Sequence, residues 1–177
     1  LVPVKMLGPK DKNGRSMSLS GNGMKALVDT SIMNVIGDIK AKKHFKKGQE
    51  VKIQSGQAEF SGKTDYAKFM EKVIIDVETM RITGPEATFQ YNSKKDIIDS
   101  VLVKGGVRVS DVDKWATSEK VNAFFGEDRF VFQGNPRLVQ DSDELRGEKI
   151  IFLKGGKIVK VLKAKANVKK SRVGGSR

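Results

Sequence analysis

Val51–Lys52–Ile53–Gln54–Ser55–Gly56–Gln57–Ala58–Glu59–Phe60 alternates apolar and polar residues, meets a glycine and resumes. A period of two puts every second side chain on one face of a sheet. The pattern returns at Met80–Arg81–Ile82–Thr83–Gly84–Pro85–Glu86–Ala87–Thr88–Phe89, at Val107–Arg108–Val109 and at Phe130–Val131–Phe132–Gln133–Gly134–Asn135–Pro136–Arg137–Leu138. Such recurrence marks one supersecondary unit stacked several times. Function is therefore sought in what the stack encloses or joins, not in a catalytic loop.

Outward from these stretches the chain reads as short strands between turns. Val73–Val77 is rich in β-branched residues, and further strands are expected at Val101–Val103, Trp115–Thr117, Val121–Phe125, Ile150–Leu153 and Ile158–Leu162. Glycines, at Gly37 and Gly105–Gly106 for example, are read as strand stops. Turns are expected at His44–Gln49, Ser61–Tyr66, Asn92–Asp96, Gly126–Arg129 and Asp141–Glu144. Met24, Leu27, Val28 and Ile32 suit a helical turn and Ile32–Ile36 suits a strand, with a strand favoured from about Ser31. The fold class is all-β, with a sandwich or barrel as the immediate reading. Residues 1–30 are expected as a partly irregular N-terminal extension, 31–162 as the β-domain and 163–177 as a basic flexible tail.

A length of 177 residues fits one domain with tails. No stretch reaches the roughly 18 consecutive apolar residues that a membrane helix needs. The chain begins at Leu1, so its start carries no information on a leader or an anchor. With no cysteine, disulfides, thiol nucleophiles and cysteine metal sites are excluded. The net charge of +13 favours polyanionic partners, or it simply keeps exposed sheet faces soluble.

Catalytic signatures are missing. The single histidine, His44, reads as a solvated turn residue. The glycine pairs sit between strands with no helix following, unlike a phosphate loop. Alternate-residue acids at Asp111/Asp113 and Asp141/Asp143/Glu144 fall short of a calcium ligand set. The sequence thus reads as a non-enzyme with no cofactor and no metal. A basic β-barrel for nucleic acid is the rival reading. It calls for aromatics interleaved with cations on one face, whereas the phenylalanines here share a face with Ile, Val and Ala. A purely structural β-repeat with a closed interior is a third.

The run from Phe132 to Val161, FQGNPRLVQDSDELRGEKIIFLKGGKIVKV, resembles the repeat of the lipopolysaccharide-export bridge proteins, the LptA/LptC/OstA-like family. Gly134–Asn135–Pro136, Gln140, Leu145–Arg146–Gly147, Ile150–Ile151–Phe152 and Gly155–Gly156–Lys157 carry the likeness. Looser units are Gly37–Ala41, Ser55–Phe60, Thr83–Phe89 and Trp115–Glu119, giving coverage from about Ser31 to Val161. The resemblance implies a twisted, V-shaped β-jellyroll built from stacked antiparallel strand repeats. It implies a periplasmic location, anchored or not at the inner membrane by a segment outside this chain. Lipopolysaccharide, held by its lipid A acyl chains, is the implied ligand. The implied partners are other jellyroll domains, itself included, joined by edge strands, and inner-membrane transporter subunits; nucleic acid is not expected. LptA-like and LptC-like roles both stay open.

Within such a fold the alternation nominates an apolar groove of Ile53, Phe60, Ile75, Ile82, Phe89, Val103, Val109, Phe125, Phe130, Phe132, Leu138 and Phe152. Small residues at Ala58, Ala87 and Ala123 suggest room beside the rings. Lys40, Lys42, Lys43, Lys46 and Lys47 are expected near the mouth, where they would steer lipid A phosphates.

Overall fold

Fifteen antiparallel strands make one sheet in the computed structural model, which describes residues 3–7, 17–27, 29–44, 50–61, 63–92 and 97–167. They are β1 (Val4–Leu7), β2 (Ser18–Gly21), β3 (Gly23–Leu27), β4 (Ile32–His44), β5 (Glu50–Ser61), β6 (Tyr66–Val77), β7 (Met80–Asn92), β8 (Ile97–Ser110), β9 (Lys114–Phe124), β10 (Arg129–Gln133), β11 (Arg137–Gln140), β12 (Asp143–Arg146), β13 (Lys149–Leu153), β14 (Ile158–Leu162) and β15 (Lys165–Asn167). Strand order is β1-β2-β4-β5-β6-β7-β8-β9-β10-β13-β14. No α-helix occurs among the described residues, and so none long and apolar enough to cross a membrane.

Gly37, Gly56, Gly84, Gly105 and Gly106 lie inside strands, contrary to the sequence expectation, whereas Gly134 does follow the end of β10. They form a crease that crosses the sheet. The β4–β5 ladder skips between Ile36 and Ile39, the β6–β7 ladder between Met70 and Val73, and the β8–β9 ladder between Lys104 and Val107. Each skip sets two residues against one, which is a β-bulge. The bulged pairs are Gly37–Asp38, Glu71–Lys72 and Gly105–Gly106, and all six residues have positive φ. Gly134–Asn135, also at positive φ, continues the line between β10 and β11, and both of those strands pair with β9. Two consecutive left-handed residues turn a strand out of its plane. Glycine adopts that conformation freely, but Glu71 and Lys72 hold it against the penalty of a Cβ.

The crease divides the sheet into two leaves folded as a V. The segments 39–44, 50–55, 73–77, 80–84, 107–110 and 114–118, with β11 and β12, make the first leaf. The segments 32–36, 57–61, 66–70, 86–92, 97–104 and 120–124, with β10, β13 and β14, make the second. Trp115–Thr117 and Val121–Phe125, expected as separate strands, are thus the two arms of β9, apart from Phe125, which opens a short 3-10 turn. The strand character of Tyr66–Met70 was missed altogether. On the unbulged strands the buried set changes parity at the crease, from Val51 and Ile53 to Ala58, and from Met80 and Ile82 to Ala87 and Phe89. Ser55 and Ser118 sit buried at this change. Each hydroxyl donates to a carbonyl two residues on, Gln57 O at 2.9 Å and Lys120 O at 3.0 Å. Local bonds of this kind replace ladder bonds that the bulge interrupts.

The sheet also extends beyond the expected domain limits. β2 and β3 both pair with β4, meeting at Asn22, whose N–H points at the Ile36 and Gly37 carbonyls (both 2.9 Å). The partly irregular extension, where short strands were expected at Val2–Met6 and Met17–Leu19, supplies β1, β2 and β3 of the same sheet. Similarly, β15 of the expected tail pairs with β12. The remaining tail and the expected turn at His44–Gln49 lie largely outside the described residues. His44 itself ends β4 opposite Glu50, with Nε2 3.2 Å from its carboxylate, so it is a strand residue and not a free turn residue.

Candidate functional site

The twelve residues nominated for the groove all belong to, or pack against, one buried apolar cluster. Ile75, Ile82, Phe89, Val103 and Phe132 are wholly buried, and Ile53, Val109, Phe130, Leu138 and Phe152 nearly so. Phe60 and Phe125 are partly buried at the margins. The two leaves differ in composition. The first contributes aliphatic residues such as Ile39, Ile53, Ile75, Ile82 and Leu138. The second contributes the rings of Phe60, Phe69, Phe89, Phe130, Phe132 and Phe152.

The alanines that suggested spare room have a different role. Ala58 and Ala87 lie directly opposite Phe69, Ala67 lies opposite both Phe60 and Phe89, and Ala123 lies opposite Phe130. Small and large residues alternate across strands, so each ring occupies the space its alanine neighbour leaves. The rings meet edge to face, Phe60–Phe69 at 5.8 Å and Phe69–Phe89 at 5.3 Å between centroids, which suits their quadrupoles. Burial of the groove residues shows an interior closed to solvent.

The interior reaches the surface at the lip of the V formed by the ends of β4, β5, β7 and β8. A small hollow of about 10 Å³ there is lined by Leu19, Ala41, Val51 and Ile53 of the first leaf and by Phe60, Phe69, Tyr91 and Ile98 of the second, with Met17, Lys42 and Lys43. It is about the size of one water. Tyr91 is among its lining residues. Burial pushes the Tyr91 hydroxyl up to about 12 and keeps it neutral. The Lys43 ammonium lies 5.7 Å from the Tyr91 ring centroid. Lys42 bonds Glu50 at 2.6 Å, and Lys52 reaches the same carboxylate at 3.1 Å. The hydrogen bond from Lys42, seconded by that from Lys52, holds the Glu50 carboxyl below its ordinary range.

The five nominated lysines thus separate. Lys42 and Lys43 rim the apolar mouth, Lys40 faces outward from β4, and Lys46 and Lys47 lie outside the described residues. Sequence reading missed Phe69, Tyr91 and Ile98 at the mouth. Tyr91 had a usable signal, since it extends the alternation of Ala87 and Phe89 by one step.

Two other aromatic residues, Trp115 and Phe124, do meet cations. Arg108 and Arg137 lie 4.3 and 5.0 Å from the Trp115 ring centroid, and Arg129 lies 3.9 Å from that of Phe124. The guanidinium groups occupy those ring surfaces, so the rings are not open stacking platforms of the kind single-stranded nucleic acid uses.

Comparison with known proteins accords with this architecture. LptH from Pseudomonas aeruginosa, the LptA homologous periplasmic component of its conserved lipopolysaccharide transport device, superposes with a TM-score of 0.58 at 19% sequence identity. The match covers 72% of this chain and 89% of that one. No curated protein sequence matches the chain. Residues 52–155, more than half of the chain, match the family described as LptA/(LptD N-terminal domain) LPS transport protein. With its creased sheet, its apolar interior and that match, the chain belongs to the LptA/LptD N-terminal domain family of lipopolysaccharide transport proteins.

Proposed function

We propose that this chain is a periplasmic bridge component that takes the acyl chains of lipid A between its two leaves and passes them to neighbouring domains of the same fold. The observation that carries the reading is the lip at Tyr91 and Ile98. There a continuous apolar interior meets the surface beside Lys42 and Lys43. Acyl chains are recognised by apolar area and lipid phosphates by ammonium groups, and the lip places both within one side chain's reach.

The closed interior suits a carrier. Burial of a methylene gains about 0.8 kcal/mol, so a many-chained lipid entering a preformed empty slot would be released very slowly. Here the leaves already bury each other's side chains. A lipid chain that parts them replaces contacts already made, which leaves a modest net affinity and permits hand-over. Phe60, Tyr91 and Ile98 are the first residues such a chain would meet.

Hand-over needs contact between domains. The edge strands β3 and β14 expose Met24, Leu27, Ile158 and Leu162 and, among the described residues, pair on one side only. Unpaired edges are templates for strand addition. They would join this domain to copies of itself, to other jellyroll domains of the bridge and to the periplasmic part of an inner-membrane transporter.

The test is site-specific photo-crosslinking to lipopolysaccharide. A benzophenone amino acid at Phe60, Tyr91 or Ile98 should capture the lipid, and the same group at outward-facing Lys120 should not. Equal capture at Lys120, or none at the lip, overturns the reading.

A further inference from the structure

We infer that the outer face of β1, β2, β4 and β5 carries a second site, a hollow that binds a phosphate monoester through Lys5, Ser18, Ser20, Lys40, Lys42 and Lys52. The hollow measures about 290 Å³. It lies on the opposite side of the first leaf from the Phe-lined interior.

Strand register assembles the site. Residues directly opposite one another in antiparallel strands share a face. Ser20 lies opposite Lys5 on one side and opposite Lys40 on the other. Ser18 lies opposite Lys42, which lies opposite Lys52. Two cross-strand rows therefore present hydroxyls between ammonium groups. Lys5 and Lys40 are two strands apart, roughly 10 Å at the usual strand spacing, with Ser20 between them. A tetrahedral anion over Ser20 meets a hydroxyl below and a flexible ammonium from each side.

Charge bookkeeping favours a dianion. Glu50 serves both Lys42 and Lys52, at 2.6 and 3.1 Å. Asp38 borders the adjoining hollow of about 380 Å³, which Lys5, Ser20 and Lys40 also line. Four ammonium groups against these two carboxylates leave two positive charges uncompensated. Among the described residues neither Lys5 nor Lys40 has an ion-pair partner, and neither serine hydroxyl has a hydrogen bond. Like charges gathered on one sheet face repel one another. A phosphate relieves that repulsion, and lysine meets it as a point charge.

The proposal rests on the lipid-carrier reading only for the source of the phosphate, which is either a lipid headgroup or a soluble phosphate ester. The full chain, labelled with ¹⁵N, is titrated with inorganic phosphate against chloride at constant ionic strength. Saturable amide shifts are expected at Ser18, Ser20 and Lys40. Lys5→Gln combined with Lys40→Gln should weaken them by about tenfold or more, the scale of a lost charge-assisted contact. Lys104→Gln combined with Lys120→Gln should leave them unchanged. Shifts that fail to saturate, or that fall equally with both double variants, overturn the site. Repeating the titration with detergent-dispersed lipid A and with glucose 1-phosphate assigns the source. Tighter binding of lipid A marks a headgroup site, and equal binding marks a site for soluble esters. Photo-crosslinking at Tyr91 should survive in the Lys5/Lys40 variant, so failure of the phosphate site and failure of the carrier reading give different results.

Discussion

Gly84 faces Val103 at the crease so closely that a Cβ on Gly84 would stand 2.7 Å from Val103 Cγ1. Val103 is wholly buried and has no free direction in which to retreat. Gly84→Ala should therefore destabilise the fold by about 1–3 kcal/mol, the usual result of overpacking. Gly126, where an added Cβ meets nothing within 4 Å, is the control. Gly126→Ala should change stability by no more than about 0.5 kcal/mol. Urea denaturation of both variants checks the contrast.

The alternation of Ala and Phe across strands makes a second prediction. Ala87 lies opposite Phe69 and Val103, and all three are wholly buried. Ala87→Leu should cost about 1–3 kcal/mol because its neighbours already fill the space. A neutral result would mean that the interior holds the spare room the alanines suggested from sequence.

Glu144 accepts from Arg137 Nη2 at 2.8 Å and from Arg146 Nε. The Arg137 hydrogen bond, seconded by that of Arg146, lowers its carboxyl from the ordinary 4.5 to about 2. A depressed folded-state value means that the stabilisation is complete above about pH 4.5 and disappears as pH falls toward 2. Glu144→Gln should flatten the fall in melting temperature across that window. Identical acid curves for the two proteins would show that the triad contributes nothing to stability.

Tyr91 makes the opposite prediction at high pH. Its hydroxyl stays protonated in the fold up to about 12, whereas an exposed tyrosine ionises near 10. Stability should then fall as pH rises from about 10 to 12, because the unfolded chain loses the proton first. Tyr91→Phe should remove that component of alkaline destabilisation. Thermal melts at pH 9, 10 and 11 decide it.

Edge pairing is checked through charge. Ile158 and Leu162 on β14 are 40% and 49% exposed, and Met24 and Leu27 on β3 are 49% and 41% exposed. Replacing either pair with lysine should shift the sedimenting species to monomer, since charged edges resist strand addition. An unchanged association state with both pairs replaced would exclude these edges.

Much of the architecture was legible in particular residues. The step from Val51 to Ile53, from Phe130 to Phe132 and from Ile150 to Phe152 placed each on an inward face, and all six are buried. Lys42 and Lys43 line the hollow at the lip, and their role toward a headgroup is part of the proposal. A mouth was expected, but its lining was not legible, because it joins Ala41 and Val51 to Tyr91 and Ile98, far apart in sequence and on different leaves.

Period-two alternation depends only on the local direction of an extended chain, so the sequence alone determined an all-β fold and the inward residues of arms such as Val51–Ile53, Phe130–Phe132 and Ile150–Phe152, though not those of Tyr66–Met70. Whether Gly37, Gly56, Gly84 and Gly105 stop strands or crease them was decided only by the tertiary structure. A bulge and a strand end look alike along one chain segment. They differ in whether ladder partners continue on both sides, and those partners come from neighbouring strands. The spare room expected beside the alanines depended on tertiary structure for the same reason. Ala87 is small in any context, but only the register that sets it opposite Phe69 shows that its space is already filled.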